Sequence, residues 1–589
     1  MDRLSRWIDP LGQAETFSYD ANGNLMSATD RKHQTSTFTY DALDRRTQAE
    51  YADGAVASFT FDTAGRLTQA DDTADPHRPI TLSYDPLDRL LTETTSLGTV
   101  SYQYDALGPR TSMTVSGQAP VTYTYDANSR LRTITQAPLN PADIQYDPLG
   151  RRTLLTLPNG VSTEYQYDAA SRLTALIYRN ALGPFGDLTY SYDANGNRTG
   201  VGGSWARSLL PEPIPSATYD AANRQLAFGG KTMAFDDNGN LVNIFSEGNT
   251  TSYTWDGRDR LIAYGLSAGT RIFSYDAIDR RARTTRDGQL VALRYDGLDI
   301  ATEVASASAA SYVRALAIDE VFAKSDTEGT LFYLADALGS TVALSDVSGD
   351  ITSSLVYGPF GETRIEGHPA GNPFRYSGRE NDEAGLYYYR ARYYRSDLAR
   401  FVSQDPIGLA AGDTNPYTYA FNNPMVFGDP TGLAVAHFPQ NPVTELGDSA
   451  LRFWADLTVD PNASWYVRDS AYVLGFFAAL AGRKTIDTTI FVLSMARGGA
   501  GRIRPDPKAS GAHSVFKRDP QTGSITHYET YRPQTNPQNP NPWELVKRYD
   551  AIGRARYNKA TDTWVPTPHV NDPTVPGGVR PAMPHEIPR

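Results

Sequence analysis

A tyrosine–aspartate pair recurs through the first half of the chain at a nearly fixed interval. The full pattern is aromatic-x-Tyr-Asp-x-x-(Gly/Asp/Ser)-Arg-Leu, and Leu82-Ser-Tyr-Asp-Pro-Leu-Asp-Arg-Leu90 is an instance with leucine at the first position. Most successive intervals are 20 or 21 residues, and the repeated aspartates are Asp20, Asp41, Asp62, Asp85, Asp105, Asp126, Asp147, Asp168, Asp193, Asp220, Asp236, Asp256, Asp276 and Asp296. A fixed period of that length indicates a stacked array of similar small units.

Each unit is predicted to be a β-hairpin. Alternating apolar residues before the Tyr-Asp pair are typical of a strand, and Asp-x-x-Gly or Asp-x-x-Asp is typical of a turn. A hairpin cannot bury its apolar face alone, so neighbouring units must pair, and the fold class is mostly β. We expect the Asp to accept backbone N–H bonds in the turn and the Tyr to pack between hairpins. Carbohydrate binding by the array is the functional alternative.

Two copies of an Asp-Pro-x-Gly-Leu pentad follow the array, Asp405-Pro-Ile-Gly-Leu409 and Asp429-Pro-Thr-Gly-Leu433. Two adjacent carboxylates that share one proton can hydrolyse a peptide bond, because like charges at close range separate their pKa values. One carboxylate then acts as the base and the other as the acid. Arg392 or Arg400 can orient a carboxylate or hold the oxyanion. The alternative is that both pentads are strand-ending turns with the aspartates as caps.

The residues around these pentads resemble the core of Rhs/YD-repeat proteins, which include bacterial polymorphic toxins and the C component of insecticidal toxin complexes. The stretches that carry the resemblance are Gly385-Leu-Tyr-Tyr-Tyr-Arg-Ala-Arg-Tyr-Tyr394, Arg400-Phe-Val-Ser-Gln-Asp405 and the two pentads. The resemblance covers roughly residues 10–433. It implies a hollow β-shell, self-cleavage by Asp405 and Asp429 between Leu433 and Ala434, and a variable toxin after the cut.

On this basis the chain divides into four parts. We expect a repeat shell over residues 1–375, a self-cleaving core over 376–433, a linker with a short helix over 434–507, and a small β-rich (α+β) toxin domain over 508–589. The resemblance also implies a cognate immunity protein and a component of a secretion system as partners. Residues 470–482 are apolar but shorter than the ~20 residues that span a bilayer, so no stable membrane span is expected.

The end of the chain differs from the rest in charge. Residues 501–589 contain 13 Lys and Arg against 8 Asp and Glu, whereas the whole chain carries a formal charge of −12. An acidic body with a basic tail indicates that the tail alone meets a polyanion, and the resemblance and the histidines described next favour RNA over DNA. The tail resembles predicted RNase toxin domains (polymorphic toxin type 24).

Half of the eight histidines also lie in this tail. Histidine titrates near neutrality, so a pair can exchange protons with an RNA 2′-hydroxyl and a leaving oxygen. The candidate catalytic residues are His513, His527, His569 and Asp572, and the candidate phosphate-binding residues are Lys517, Arg518 and Arg548. His513 and His527 flank one predicted hairpin, and residues 543–549 fit either a short helix or a further strand.

Other chemistries for the tail stay open. A zinc site from three of these histidines matches no standard spacing. A metal-dependent DNase is disfavoured because neither a His-Asn-His motif nor an acidic cluster is present. An adhesion module that displays the tail is the non-enzymatic alternative. We expect no metal and no cofactor.

The route out of the cell is also constrained by the sequence. The chain contains no cysteine, so disulfides and thiolate metal sites are excluded. Its first residues contain no apolar signal region. We therefore expect delivery into a target cell by a contact-dependent secretion system.

Overall fold

The computed structural model describes residues 3–433 except 211–212, 267–268, 287, 307 and 369–370, together with residues 435–437 and seven strands of the tail. Contacts divide the chain into two units, Met1–Gly482 and Arg483–Arg589. Among the described residues, no helix is long and apolar enough to cross a membrane. The predicted linker helix lies outside the described residues.

The first sheet contains 19 antiparallel strands, and each strand pairs with the next along the chain. Strands β1 to β19 are, in order, Arg6–Ile8, Ala14–Tyr19, Leu25–Thr29, Thr35–Tyr40, Arg46–Glu50, Val56–Phe61, Leu67–Asp72, Ile80–Tyr84, Leu90–Thr95, Gly98–Tyr104, Arg110–Val115, Val121–Tyr125, Leu131–Gln136, Ala142–Tyr146, Arg152–Thr156, Ser162–Tyr167, Leu173–Asn180, Gly183–Tyr192 and Arg198–Gly202. The predicted array of hairpins is confirmed over this region.

The second sheet contains 16 antiparallel strands in chain order. Strands β20 to β35 are, in order, Ala217–Tyr219, Gln225–Phe228, Lys231–Phe235, Leu241–Ser246, Asn249–Trp255, Leu261–Leu266, Gly269–Tyr275, Arg281–Arg286, Gln289–Asp296, Asp299–Ala305, Ala309–Arg314, Val321–Asp326, Gly329–Ala335, Thr341–Ser345, Ile351–Tyr357 and Thr363–Gly367. The fold is mostly β, as the sequence predicts.

The repeated aspartate builds the turn of each hairpin. In the hairpin of β14 and β15, Oδ1 of Asp147 accepts the backbone N–H groups of Leu149 and Arg151, both at 2.9 Å. Gly150 has a φ of +83°, and the register shifts by one residue just before Tyr146. This geometry is a three-residue loop whose last residue is left-handed, which explains why the fourth position after Tyr is restricted to Gly, Asp, Asn or Ser.

The repeated arginine joins each hairpin to the next one. Arg151 donates from Nε to Oδ2 of Asp147 at 2.6 Å, and its guanidinium carbon lies 4.7 Å from the ring centre of Tyr167 in the following repeat. Tyr167 donates in turn to the carbonyl of Arg152 at 2.9 Å. The same ion pair and ring contact recur at Arg45, Arg66, Arg89, Arg130 and Arg172. The Tyr-Asp…Arg pattern is therefore the connector of the array.

Buried ion pairs tie the two large sheets to each other. Asp72 at the end of β7 accepts from Arg258 at 2.5 and 3.0 Å, and Glu93 in β9 accepts from Arg280 at 2.5 Å. Arg110 in β11 forms a bidentate pair with Asp296 at 2.6 and 2.8 Å. Residues about 186 positions apart in the chain are thus brought together. Each sheet therefore supplies the partners for buried charges of the other.

A compact core follows the second sheet. Its strands β36 to β39 are Glu380–Asn381, Leu386–Tyr389, Arg392–Arg395 and Arg400–Phe401, and its 3-10 helices are Tyr376–Gly378, Ser396–Leu398, Gly408–Ala411 and Ala420–Asn422. Short strands β40 (Phe427–Gly428) and β41 (Ala436–His437) pair after them. Tyrosines 376, 387, 389, 394 and 419 form its buried centre. This core carries both pentads.

The tail contains seven described strands. Strands β42 to β48 are His513–Arg518, Ile525–Pro533, Trp543–Asp550, Arg556–Asn558, Thr563–Val565, His569–Asn571 and Val579–Pro581. The first two pair antiparallel, as the predicted strand-turn-strand requires, and residues 543–550 are a strand rather than a helix. Five of the strands form one sheet in the order β42-β43-β44-β47-β48.

Candidate active site

The two pentads make their turns differently. In the first, Oδ1 of Asp405 accepts the N–H of Ile407 at 3.0 Å. In the second, Oδ1 of Asp429 accepts the N–H of Leu433 at 3.0 Å and the hydroxyl of Thr431 at 3.3 Å. The second aspartate is therefore held against the residue at which the predicted cut occurs.

Arg392 brings the two carboxylates together. Its Nη2 lies 2.8 Å from Oδ2 of Asp405 and 3.1 Å from Oδ2 of Asp429. All three side chains are buried, and the guanidinium carbon of Arg392 lies 3.6 Å from the ring centre of Phe401. The Nε of Arg392 donates to the carbonyl of Gly432, one residue before the predicted cleavage position. A single buried cation thus faces two carboxylates beside Leu433.

The environment of Asp405 raises the pKa of its carboxyl group well above the usual value. Burial raises the pKa of Asp405 to about 7, the Arg392 guanidinium opposes the rise, and the negative charge of Asp429 adds to it. A carboxyl group with a pKa near 7 can hold a proton while its neighbour is ionised, as acid–base hydrolysis requires.

Arg400 does not join this group. Its Nη1 donates to the carbonyl of Asn223 at 3.2 Å and to the side chain of Asn415 at 3.4 Å, and its guanidinium carbon lies 4.6 Å from the ring centre of Tyr219. Of the two predicted arginines, Arg392 alone is placed against Asp405 and Asp429. Both arginines lie before the first pentad in the sequence. The pairing of β38 places Arg392, and not Arg400, against Asp405.

The tip of the β37–β38 hairpin encloses the second pentad. The N–H of Ala391 donates to the carbonyl of Thr431 at 3.1 Å. A Cβ at Gly432 would lie 2.2 Å from the carbonyl oxygen of Tyr389, and Gly432 has a φ of +74°. The second pentad therefore requires glycine for both space and conformation. Gly408, its counterpart in the first pentad, has a φ of +55° and open space around the same position.

A residue that the sequence analysis did not select also contacts the second pentad. Nη1 of Arg390 donates to the carbonyl of Pro430. Arg390 lies two residues before Arg392 in the same Tyr-Arg-x-Arg-Tyr run. The two arginines of this run are the signal that points to it, since Arg390 lies in the turn of the hairpin and Arg392 begins β38.

In the tail, the strand register shows which candidate catalytic residues lie opposite one another, in a row across the sheet. Lys517 lies opposite His527, His527 opposite Asp550, and Asp550 opposite His569. His513 lies opposite Tyr531, four residues from His527, which is about 13 Å along a strand. The row therefore unites His527 with His569 and separates both from His513.

Of the other candidate residues of the tail, Arg518 and Arg548 lie in described strands. Arg518 lies opposite Ile525, and Arg548 opposite Glu529 and Asn571. Asp572 lies outside the described residues. Within the described part of the chain, no group of three or more His, Asp or Glu residues is arranged to hold a metal ion.

An array of Tyr-Asp hairpins, followed by a core with paired Asp-Pro-x-Gly-Leu pentads, defines a YD-repeat shell protein. Two family models recognise the YD-repeat region of the chain. The Teneurin YD-shell model matches residues 153–425, and the RHS Repeat model matches residues 2–35, 19–56 and 84–120. The two models together match more than half of the chain.

Similar proteins include known toxins. "Toxin protein Tse5" of Pseudomonas aeruginosa is 29% identical over 313 residues, which cover 42% of this chain and 24% of that protein. "tRNA3(Ser)-specific nuclease WapA" of Bacillus spizizenii is 29% identical over 259 residues, which cover 42% of this chain and 11% of that protein. The chain thus matches less than a quarter of the length of either relative.

Among solved structures, "Crystal Structure of TcdB2-TccC3-Cdc42" matches at 16% identity with a TM-score of 0.49. The match covers 78% of this chain and 30% of that chain. The fold described above rests on the strand pairing of this chain and not on that likeness.

Proposed function

We propose that the core cuts its own chain once, between Leu433 and Ala434, and so releases the C-terminal part. The observation that carries this proposal is the pair of contacts from Arg392 Nη2 to Asp405 and Asp429, at 2.8 and 3.1 Å. The hydrogen bond from Leu433 N–H to Asp429 adds the link to the cut. If Asp405 and Asp429 only capped two unrelated turns, nothing would require both carboxylates to contact one buried guanidinium.

The proposed reaction uses the two carboxylates in different states. The Asp429 carboxylate accepts a proton from water, and the resulting hydroxide attacks the carbonyl carbon of Leu433. Asp405, whose pKa is about 7, donates its proton to the departing nitrogen of Ala434. The C–N bond breaks, Leu433 ends in a new carboxylate, and Ala434 gains an amino group. Arg392 limits the repulsion between the two acids throughout.

Such a peptidase acts in cis and is consumed by one turnover. Intact mass measurement of the purified 589-residue chain is the direct test, and we expect two polypeptides that meet at Leu433/Ala434. Asp405→Asn and Asp429→Asn should each leave one uncut chain, with the hairpin array as resistant to protease as before. A full-length mass for the unmutated protein would refute self-cleavage.

We further propose that the released tail is a toxin that acts on nucleic acid, with RNA as the favoured substrate. Support comes from the excess of Lys and Arg in residues 501–589, from the row Lys517–His527–Asp550–His569, and from the relative whose name records a tRNA-specific nuclease. A carboxylate position between two histidine positions suits proton transfer by imidazole, because it can fix the tautomer of either ring. Lys517 at the end of the row supplies charge for phosphate.

This function requires partners and delivery. A nuclease released inside its producer would damage that cell, so we propose a cognate immunity protein that neutralises the tail. Delivery to a competitor by a secretion system follows from the same reasoning and from the toxin relatives. Co-expression of the tail with the product of an adjacent small gene tests the first point, and restored growth is the expected result.

A further inference from the structure

Arg390 connects the second pentad to the second large sheet. Its Nη1 donates to the carbonyl of Pro430, which follows Asp429 directly. Its Nη2 donates to Oδ1 of Asp319 at 2.7 Å and to Oδ1 of Asp299 at 3.1 Å. Asp299 begins β29, and Asp319 lies in the loop between β30 and β31. One guanidinium thus bridges the cut loop and two separate segments of the hairpin array.

A second arginine, Arg379, links Asp319 to the same hairpin. Arg379 contacts Oδ1 of Asp319 through Nη1, and it donates from Nε and Nη2 to the carbonyl of Tyr388 at 3.0 and 2.7 Å. Tyr388 lies in β37, and the tip of its hairpin contains Arg390 and is followed directly by Arg392, the first residue of β38. Asp319 therefore anchors the hairpin at two places, and the position of the tip depends on it.

We propose that Arg390 is a positioning residue that couples the self-cleavage to assembly of the second sheet. The inference rests on the proposed self-cleavage and adds its regulation. The carboxylates of Asp299 and Asp319 bind the Arg390 guanidinium, which in turn donates to the Pro430 carbonyl. The contact with Pro430 positions Asp429 and Leu433 against Asp405. The chain is cut after β29 to β31 have folded around Arg390, so the tail is not released from an incomplete array.

The physical basis is the cost of burying Arg390 alone. Arg390 lies at the hairpin tip with 8% of its side chain exposed, and an unpaired guanidinium at such a site is strongly unfavourable. Before Asp299 and Asp319 are in place, Arg390 stays in water and the tip does not close on the pentad. Peptide hydrolysis is sensitive to this displacement, because an error of about 1 Å in a reacting group costs on the order of 10²-fold in rate.

The test follows cleavage of the full chain made by cell-free translation. Translation is stopped after a short pulse, and the fraction cut is measured on gels against time. Arg390→Lys keeps the charge but loses the fork that reaches both Pro430 and the carboxylates. The matched control is Arg395→Lys, because Arg395 is a buried arginine of the same hairpin that pairs with Asp397, Tyr253 and Tyr264 rather than with the pentad.

We expect Arg390→Lys to lower the cleavage rate on the order of 10²-fold, while the final fraction cut and the pH of half-maximal rate stay unchanged. Arg395→Lys should cut at nearly the unmutated rate. Asp319→Asn should slow cleavage as well, and the double variant with Arg390→Lys should be slowed by less than the product of the two single effects. If the Arg390→Lys chain does not become protease-resistant, the cleavage rate of the Asp319→Asn chain decides the test. In that variant Asp299 still pairs with Arg390.

Several results would overturn the inference. An unchanged rate in a folded Arg390→Lys chain, or in Asp319→Asn, excludes the coupling and leaves self-cleavage intact. A lower final fraction at an unchanged rate means that Arg390 serves folding alone. An unmutated chain that stays whole removes the proposed self-cleavage and this inference with it.

Discussion

Asp405 and Asp429 face the same nitrogen of one buried arginine, although 23 residues separate them in the chain. Two carboxylates this close do not ionise independently, and the guanidinium compensates one negative charge better than two. Burial and the negative charge of Asp429 together raise the pKa of Asp405 to about 7, against the opposing effect of Arg392. The arrangement supplies an acid and a base without a metal ion or a cysteine.

The pH dependence of self-cleavage follows from the proton that Asp405 donates. Because the pKa of Asp405 is raised to about 7, its protonated fraction falls as the pH rises through that value. We expect the rate to decrease above pH 7 by about tenfold per pH unit, as for loss of a single general acid. The contribution of Asp405 to folding stability has the same direction: it is present at low pH and is lost as the pH rises through about 7.

The measurement uses chains translated in a short pulse and diluted into buffers from about pH 5.5 to 9. Protease resistance at each pH is the control that the array remains folded. A rate that is constant or increasing between pH 7 and 9 would contradict the assignment of Asp405 as the acid.

The glycines of the two pentads give a matched pair of variants. We expect Gly432→Ala to slow or abolish cleavage, because its Cβ would lie 2.2 Å from the Tyr389 carbonyl and its φ is +74°. Gly408→Ala meets open space and should cost only about 1 kcal/mol of left-handed strain, with much faster cleavage than Gly432→Ala. The fraction cut over time compares the two. Equal rates in both variants would show that the close approach at Gly432 is unimportant for the cut.

Much of the fold is predictable because its interactions are local. The turn around Asp147 and the strand that ends at Tyr146 follow from residues within one period. The sequence does not predict the role of Arg151, because its ring contact with Tyr167 forms only when hairpins stack. The recurrence of an arginine four residues after each of several repeated aspartates is nevertheless visible in the sequence, as at Arg130 after Asp126.

The rest depends on contacts that no periodicity reveals. Asp72 and Arg258 belong to different sheets, and nothing near either residue indicates the other. Both pentads were recognisable, but the choice between Arg392 and Arg400 needed the register of β38. The sequence does not predict the role of Arg390, because its partners Asp299 and Asp319 lie outside the repeated Tyr-Asp pairs.

The ion pairs between the sheets predict where the array is most sensitive. Asp72 is fully buried and Arg258 is nearly so, and Arg258 also stacks 3.8 Å from the ring centre of Tyr51. Asp72→Asn should lower the free energy of unfolding by about 3 kcal/mol, because the buried Arg258 then keeps only the more distant carboxylate of Asp279, at 4.0 Å. Urea unfolding followed by tyrosine fluorescence measures the change.

The control for this variant is an exposed pair of similar length. Arg207 and Glu366 lie 2.6 Å apart with side chains 55% and 39% exposed. Glu366→Gln should change stability by about 0–1 kcal/mol, since water screens the pair. A similar loss in both variants would show that burial does not determine the strength of these ties.

The last prediction concerns the tail and separates two pairs of histidines. The sequence suggests that His513 and His527 act together, whereas the backbone register puts His527 in a row with Asp550 and His569. If that row contains the acid and base, His527→Ala and His569→Ala should each lower ribonuclease activity by a factor of roughly 10²–10⁴. Asp550→Asn should also lower it, by removing the group that orients the imidazoles, and His513→Ala should have little effect. Lys517→Ala should weaken binding and reduce its salt dependence instead.

The assay adds full-length chains to a bacterial extract and follows total RNA. The chains are purified with and without the Asp429→Asn change, which blocks release. Degradation of DNA with intact RNA would exclude the ribonuclease, and activity that depends on His513 but not on His569 would exclude the row.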